Sequence, residues 1–120
     1  MGAKVSKAKR PKRRWIGITV PSTIQARDAL QSALEVSELA AFNIRLYDFH
    51  RANSDAAIAA RNHCQFSDDV GVAILCLLLR DYERVRTYFE SNNQGFNSFS
   101  SSGKIRLIRE RMGLPKPPRT

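Results

Sequence analysis

The longest uninterrupted apolar stretch of the chain is Val70–Leu79, ten residues without a charge, and Arg80 and Asp81 follow it at once. A transmembrane helix needs about 20 apolar residues, so this stretch is too short to cross a bilayer and should be buried inside the protein. Its β-branched residues and its length favour a strand, although periodicity alone leaves a buried helix open. We therefore predict a central strand whose two faces are covered by the rest of the chain.

Three further segments have features of strands. Trp15–Val20 is rich in β-branched and aromatic residues and ends at Pro21, which has no amide hydrogen for a sheet. Ala41–Phe49 alternates between apolar and polar residues, so one face of a strand should be buried. Asn92–Ser101 is polar and turn-like, and we expect a fourth strand there. The apolar side chains that should reach the core from the last two segments are Phe42, Ile44, Leu46, Phe96 and Phe99.

Helical spacing of apolar residues predicts three helices. Ser22 and Gln25 have the spacing of a capping box, so the first helix should begin at Ser22. The second should run from Tyr82 to about Ser91. The third should be capped by Ser102 and end at Gly113. The apolar stripes are Ala26, Ala29, Leu30, Ala33 and Leu34 in the first helix, Tyr82, Val85 and Phe89 in the second, and Ile105, Ile108 and Met112 in the third.

Between the second and third strands lies an Ala-rich insert, His50–Asp69, which is compatible with a short helix capped by Ser54 or Asp55. The order of elements is then strand, helix, strand, strand, helix, strand and terminal helix. This order predicts an α+β fold of the ferredoxin-like split βαβ type. Such a fold is an antiparallel four-stranded sheet with helices on one face, here with an extra C-terminal helix.

The 120 residues have room for one domain, and their charge is unevenly placed. The net charge is +9, yet residues 15–103 carry seven basic and ten acidic residues, a balance of −3. Residues 1–14 carry seven Lys or Arg and no acid, and residues 104–120 carry six against one acid. We predict a disordered basic arm at 1–13, a single domain at 14–113 with a loop insert at 52–69, and a tail at 114–120.

Basic ends on a mildly acidic domain indicate a polyanionic partner, either nucleic acid or an anionic membrane surface, with a solubilising tail as the simpler alternative. The opening residues Met-Gly-Ala-Lys-Val-Ser match an N-myristoylation pattern, and the basic run after them could supply the second membrane signal. A myristoylated peripheral membrane protein, acylated at Gly2, is therefore an alternative function. An intact-mass measurement would identify it.

The sequence offers no catalytic residues and no metal site. His50, His63 and Cys64 lack the paired spacing that a structural zinc site needs. No nucleophile elbow and no Gly-rich phosphate loop is present. Cys64 and Cys76 follow no secretory signal, which favours a reducing compartment and free thiols.

RNA-recognition motifs have the predicted strand order and stack bases on aromatic residues of their central strands. The run Gly71-Val-Ala-Ile-Leu-Cys-Leu has no aromatic residue, so base stacking is excluded on that strand. Trp15 and Tyr47 are the sheet aromatics that could stack on a base, or pack in a core or an interface instead.

Phosphate contacts are predicted at two basic segments. The start of the terminal helix offers free amides and a positive dipole end, with Lys104 and Arg106 beside it. The alternative is an amphipathic helix with a solvated basic face. The candidate RNA-binding residues are Arg10, Lys12, Arg13, Arg14, Ser102, Gly103, Lys104, Arg106 and Arg109.

Several short motifs occur in a distinctive order: Arg13-Arg14-Trp15-Ile16, Leu46-Tyr47-Asp48, Gly71-Val72-Ala73-Ile74, Arg80 with Tyr82, Val85-Arg86 and Ser102-Gly103-Lys104-Ile105-Arg106. With them the chain resembles, from Arg14 to about Met112, the small ferredoxin-like subunit of archaeal and eukaryal ribonuclease P, called ribonuclease P protein component 2 in archaea. Two departures are Lys104, where the family has threonine, and the insert at 52–69, where the family has a short connection. We expect the insert to form a surface loop.

The resemblance implies a non-catalytic subunit of ribonuclease P, an RNA enzyme that removes the 5′ leader from precursor tRNA. Mg²⁺ would be bound by the RNA and no cofactor by this chain. The implied partners are the ribonuclease P RNA, a larger barrel-like protein subunit in a two-plus-two assembly, other ribonuclease P proteins and, indirectly, precursor tRNA. The location would be cytoplasmic in archaea and nuclear or nucleolar in eukaryotes. The sister complex ribonuclease MRP, and a ribosomal or other ribonucleoprotein role, stay open as alternatives.

Overall fold

The computed structural model describes residues 12–66, 69–91 and 96–114, and of Ser91 only the backbone. Its elements in chain order are the strand β1 (Arg13–Val20), the helix α1 (Arg27–Glu35), the strand β2 (Arg45–His50), the helix α2 (Asp55–Cys64), the strand β3 (Gly71–Leu78), the helix α3 (Tyr82–Ser91), the strand β4 (Asn97–Ser102) and the helix α4 (Ile105–Met112). Short 3₁₀ turns at Glu38–Ala41 and Leu79–Asp81 precede β2 and α3.

The four strands form one sheet in the order β2-β3-β1-β4, and each neighbouring pair is antiparallel. Every residue of β3 is buried, which confirms the prediction that the apolar run is an inner strand. The fourth strand expected between the second and terminal helices is present as β4. The described residues therefore form an α+β fold with a four-stranded antiparallel sheet.

One face of the sheet is covered by α1 and α3. Leu30 of α1 and Phe89 of α3 are almost fully buried, and they pack in one cluster with Ile16 and Ile18 of β1 and Leu75 of β3. Burying each such side chain contributes about 1.5–3 kcal/mol. The predicted stripe of α3 is confirmed, whereas that of α1 is confirmed only for Leu30, Ala33 and Leu34, because Ala26 precedes the helix and Ala29 is exposed.

The other face is covered by α2 and α4, so the prediction of helices on one face is wrong. Ala57 of α2 and Met112 of α4 are fully buried in a second cluster with Val72 and Ile74 of β3. Because β3 presents apolar side chains on both faces, the sheet needs a second cover. The insert is thus a helix packed on the sheet rather than a surface loop, and Ser54 caps it as predicted by accepting a hydrogen bond from the Ala57 amide at 3.2 Å.

The predicted capping box at the start of α1 is wrong. The helix begins at Arg27 after Ala26, which makes no side-chain cap. Ser22 instead belongs to a turn, in which the Ile24 amide donates to the Pro21 carbonyl at 3.0 Å and Gln25 Nε2 donates to the Ser22 carbonyl at 2.5 Å. The turn after Pro21 occupies the residues that the capping box would have placed in a helix.

Strand β2 begins four residues later than predicted, because the Ser37 side chain caps the 3₁₀ turn Glu38–Ala41. The predicted core residues Phe42, Ile44 and Leu46 do pack in the first cluster. The register with β3 shifts between Leu46 and Asp48, so Asp48 pairs with Ile74 rather than Ala73. This bulge turns Asp48 toward the face that α4 covers.

Candidate nucleic-acid interface

The first basic segment leads into β1. Lys12 and Arg13 are exposed, and the Lys12 carbonyl accepts a hydrogen bond from the Leu79 amide at 2.8 Å. Arg13 lies opposite Leu78 in the sheet, so the backbone that carries both charges is anchored to the end of β3. Arg10 lies outside the described residues.

Arg14 is held by the fold. Its guanidinium lies 5.0 Å from the ring centroid of Tyr82, and Nη2 donates to Ser101 Oγ at 3.4 Å. The Tyr82 hydroxyl and Ser101 Oγ are 2.8 Å apart, so the three side chains join β1, α3 and β4. Nε of Arg14 is buried without a hydrogen-bond partner among the described residues. A cation stacked on a tyrosine and bonded to a serine is less available to a phosphate than an exposed one.

The second basic segment leaves β4 and enters α4. Ser102 is buried, and its Oγ accepts a hydrogen bond from the Lys104 amide at 3.1 Å rather than from an amide inside the helix. The predicted cap is therefore displaced to the residue before α4. A Cβ on Gly103 would meet no atom within 4 Å, and Lys104 and Arg106 are exposed.

The sheet register brings the two basic segments together. Trp15 of β1 pairs with Ser102 of β4, which places residues 12–14 and 103–106 at the same end of the sheet although about 90 positions separate them in the chain. Lys12, Arg13, Lys104 and Arg106 are exposed there, and within the described parts of the chain none of them has a side-chain hydrogen bond or ion pair. Uncompensated cations at one end of a sheet form a surface suited to a polyanion.

Arg109 has a different environment from the other cations of α4. Its Nη1 binds Oδ2 of Asp48 on β2, and only 14% of its side chain is exposed. His50 Nε2 lies 3.5 Å from the other carboxylate oxygen. Burial raises the pKa of Asp48, but the neighbouring His50 and Arg109 outweigh burial and hold that pKa below its ordinary value. Arg109 thus ties α4 to β2, and the structure does not bring its charge together with the exposed basic residues.

Two aromatic residues lie near the same end of the sheet. The rings of Trp15 and Tyr47 meet edge to face with centroids 5.0 Å apart, and Tyr47 is 47% exposed. Tyr47 occupies the bulge of β2, beside the exposed Arg45. Arg45 was not among the residues predicted from the sequence, and neither was Asp48 as the partner of Arg109. Strict alternation along residues 41–49 concealed the orientation of Asp48, because the bulge depends on pairing with β3, whereas Arg45 precedes the bulge and lies on the polar face that the alternation predicts.

The remaining chemistry of the described residues is limited. They contain no group of three His, Cys, Asp or Glu side chains placed to hold a metal. Cys64 and Cys76 are free thiols, Cys64 Sγ donates to the Arg111 carbonyl at 3.4 Å, and burial raises the Cys64 pKa. Across residues 12–66, 69–91 and 96–114, no helix has the length and hydrophobicity to cross a membrane. Gly2, the candidate acylation site, lies outside these residues.

Comparison of the chain with family models, with curated proteins and with solved structures gives no match.

Proposed function

We propose that this chain is a non-catalytic protein subunit of ribonuclease P, which binds and braces the catalytic RNA while the RNA removes the 5′ leader of precursor tRNA. The observation that carries the proposal is the shared position of Lys12, Arg13, Lys104 and Arg106 at one end of the sheet. Each exposed cation that neutralises a phosphate releases counterions, and this release supplies a large share of the affinity of proteins for nucleic acids. The resemblance of the motif order from Arg14 to about Met112 is what favours ribonuclease P in this proposal over other RNA-binding complexes.

The fold that we propose is the ferredoxin-like split βαβ. Two features support it: the strand order β2-β3-β1-β4 and the antiparallel pairing of all neighbours. In each half of such a fold, a helix connects two strands between which a third strand is inserted. Here α1 leads from β1 to β2 across β3, and α3 leads from β3 to β4 across β1. Helices α2 and α4 would be additions on the second face.

In this proposal the metal-dependent hydrolysis belongs to the RNA. The protein contributes positive charge at fixed positions, and a larger barrel-like subunit completes a two-plus-two assembly. Arg109, a candidate RNA-binding residue from the sequence, has a structural role in this proposal. It orients α4 through Asp48, so that Lys104 and Arg106 at the start of the helix face the RNA from a fixed position.

The decisive experiment is to purify the tagged full chain from its own cells at moderate salt and to sequence the RNA that copurifies. Enrichment of one structured RNA of the ribonuclease P type, together with precursor-tRNA cleavage by the eluate, is the expected result. Enrichment of ribosomal RNA alone would favour the ribosomal alternative. Recovery of no RNA, with an acyl group on Gly2 by intact mass, would overturn the proposal in favour of a membrane role.

A further inference from the structure

A pocket of about 390 Å³ lies beside β2, at the end of the sheet that carries Lys12 and Arg13. Residues from three elements meet there: the first residue of β1, the middle of α1 and the chain that enters β2. The lining residues are Arg13, Gln31, Asn43, Ile44, Arg45 and Leu46. This volume lies within the range of about 300–1,000 Å³ that small-molecule sites have.

The pocket carries two positive charges and no negative one in its lining. Among the described residues, neither Arg13 nor Arg45 makes a side-chain hydrogen bond or an ion pair. Some arginines of the chain are engaged, as Arg61 is with Asp69 at 3.1 Å, whereas Arg106 resembles Arg13 and Arg45 in having no such partner among the described residues. An anion bound in the pocket would be attracted by the two uncompensated guanidinium groups of its lining. Guanidinium groups also match the oxygen geometry of phosphate.

The other walls suit a heterocyclic base rather than a bare anion. Asn43 and Gln31 carry carboxamides, which have both donors and acceptors for the edge of a base. Gln31 Nε2 donates to Glu35 Oε1 at 3.2 Å, which leaves the second N–H and the carbonyl oxygen for a ligand. Ile44 and Leu46 supply the aliphatic part of the lining. Proteins read RNA sequence mainly on unpaired bases that have left the stack.

We infer that this pocket binds one unpaired nucleotide of RNA, with its phosphate between Arg13 and Arg45 and its base edge at Asn43 and Gln31. The inference rests on the proposed RNA-binding function and adds to it the kind of nucleotide that the protein takes and the place where it sits. A free nucleoside monophosphate presents the same chemistry, so the test must separate the two sources.

The test is an NMR titration of the full-length protein, with the side-chain amide signals of Asn43 and Gln31 as reporters. The probes are the four nucleoside 5′-monophosphates, inorganic phosphate and a single-stranded oligoribonucleotide. Asn43→Asp keeps the size of the side chain but puts a carboxylate in the pocket. Arg45→Ala removes one of the two charges. Arg51→Ala is the matched control, because Arg51 is exposed and follows the opposite end of β2.

We expect saturable shifts of both amide signals with the oligoribonucleotide, and weaker binding of inorganic phosphate. Arg45→Ala should lower the affinity for the oligoribonucleotide by about 10- to 100-fold, as the loss of a hydrogen bond to a charged group does. Asn43→Asp should lower this affinity at least as much. Arg51→Ala should leave the affinity unchanged. Backbone amide spectra of the variants should show the fold unaltered, since both substituted side chains are exposed.

Other outcomes separate this inference from the proposed function. Suppose that Lys104→Ala with Arg106→Ala lowers RNA affinity while Arg45→Ala and Asn43→Asp do not. The pocket inference is then overturned and the proposed function stands. Saturable binding of monophosphates, with no effect of Arg45→Ala on the oligoribonucleotide, would show a free-nucleotide site and would also overturn it. Absence of any RNA binding would overturn both the pocket inference and the proposed function.

Discussion

Removing the two exposed charges at the start of α4 should weaken RNA binding by an amount that can be calculated. Lys104 and Arg106 have no compensating side chain within the described residues, so each is available for one phosphate. Each phosphate contact changes the slope of log affinity against log salt by about 0.7–0.9. The double variant Lys104→Ala with Arg106→Ala should therefore lose about 1.4–1.8 units of slope. At about 0.15 M salt this counterion term alone corresponds to a loss of roughly 15- to 30-fold in affinity.

The assay is fluorescence anisotropy of the full chain with a ribonuclease P type RNA over about a tenfold range of salt concentration, which is wide enough to define a slope. The matched control is Arg51→Ala with Arg86→Ala, which removes the same number of charges from other parts of the surface. Arg51 follows the opposite end of β2, and Arg86 lies in α3, where it pairs with Glu90. The control should keep the wild-type slope.

Two results would refute the reasoning. An unchanged slope in the Lys104→Ala, Arg106→Ala variant would mean that the start of α4 does not touch phosphate. An equal loss in the control would mean that the protein binds RNA through its net charge and not through the end of the sheet. A parallel cleavage assay with the reconstituted complex should follow the same order, with the double variant slower than the control.

Three predictions concern the structure that supports this surface. Gly71→Ala should destabilise the protein by more than about 1 kcal/mol in urea unfolding, because the added Cβ would lie 2.6 Å from the backbone carbonyl oxygen of His50. The control Gly103→Ala should stay within about 0.5 kcal/mol of wild type, because its Cβ would meet no atom within 4 Å. Met112→Ala should cost about 2–5 kcal/mol in the same assay, since the side chain is fully buried, and a smaller loss would show that α4 is loosely packed. The folded-state pKa of Asp48 is below its ordinary value, so its pairing stabilises the fold above about pH 4 and the contribution is lost as pH falls through the folded-state pKa. Asp48→Asn should thus lower stability at neutral pH and flatten the acid limb of a stability profile; an unaltered acid limb would contradict this.

The elements that could be predicted from the sequence are those whose signals are local. The apolar run of β3 has no other place than the interior, and the stripes Val85 with Phe89 and Ile108 with Met112 each fix one buried helix face. Gly113 ends α4 with a φ of +71°, a conformation that glycine adopts without strain.

The errors arose where two local signals compete or where the decisive contact is distant. Ser22 and Gln25 have capping-box spacing, but the turn at Pro21 takes precedence and delays α1 to Arg27. The Ala-rich insert was compatible with a short helix, but the resemblance, in which this connection is short, suggested a surface loop. Small side chains are nevertheless what lets α2 lie close to the sheet, where Ala57 and Ala60 are fully buried.

Predicting the candidate interface required knowledge of such distant contacts to a greater extent than predicting the fold did. A list of basic residues does not show which cations the fold itself uses, and here Arg14 is held by Tyr82 and Arg109 by Asp48. Arg109 and Asp48 are 61 positions apart, and they meet only because the bulge at Tyr47 turns Asp48 toward α4. A carboxylate pointing to the other face would remove Asp48 from Arg109, whose side chain is only 14% exposed, and breaking such an ion pair is costly. The bulge therefore fixes the position of α4 through Asp48, while Arg45, which precedes the bulge and pairs with Cys76, stays exposed on the edge strand β2 and lines one pocket with Arg13.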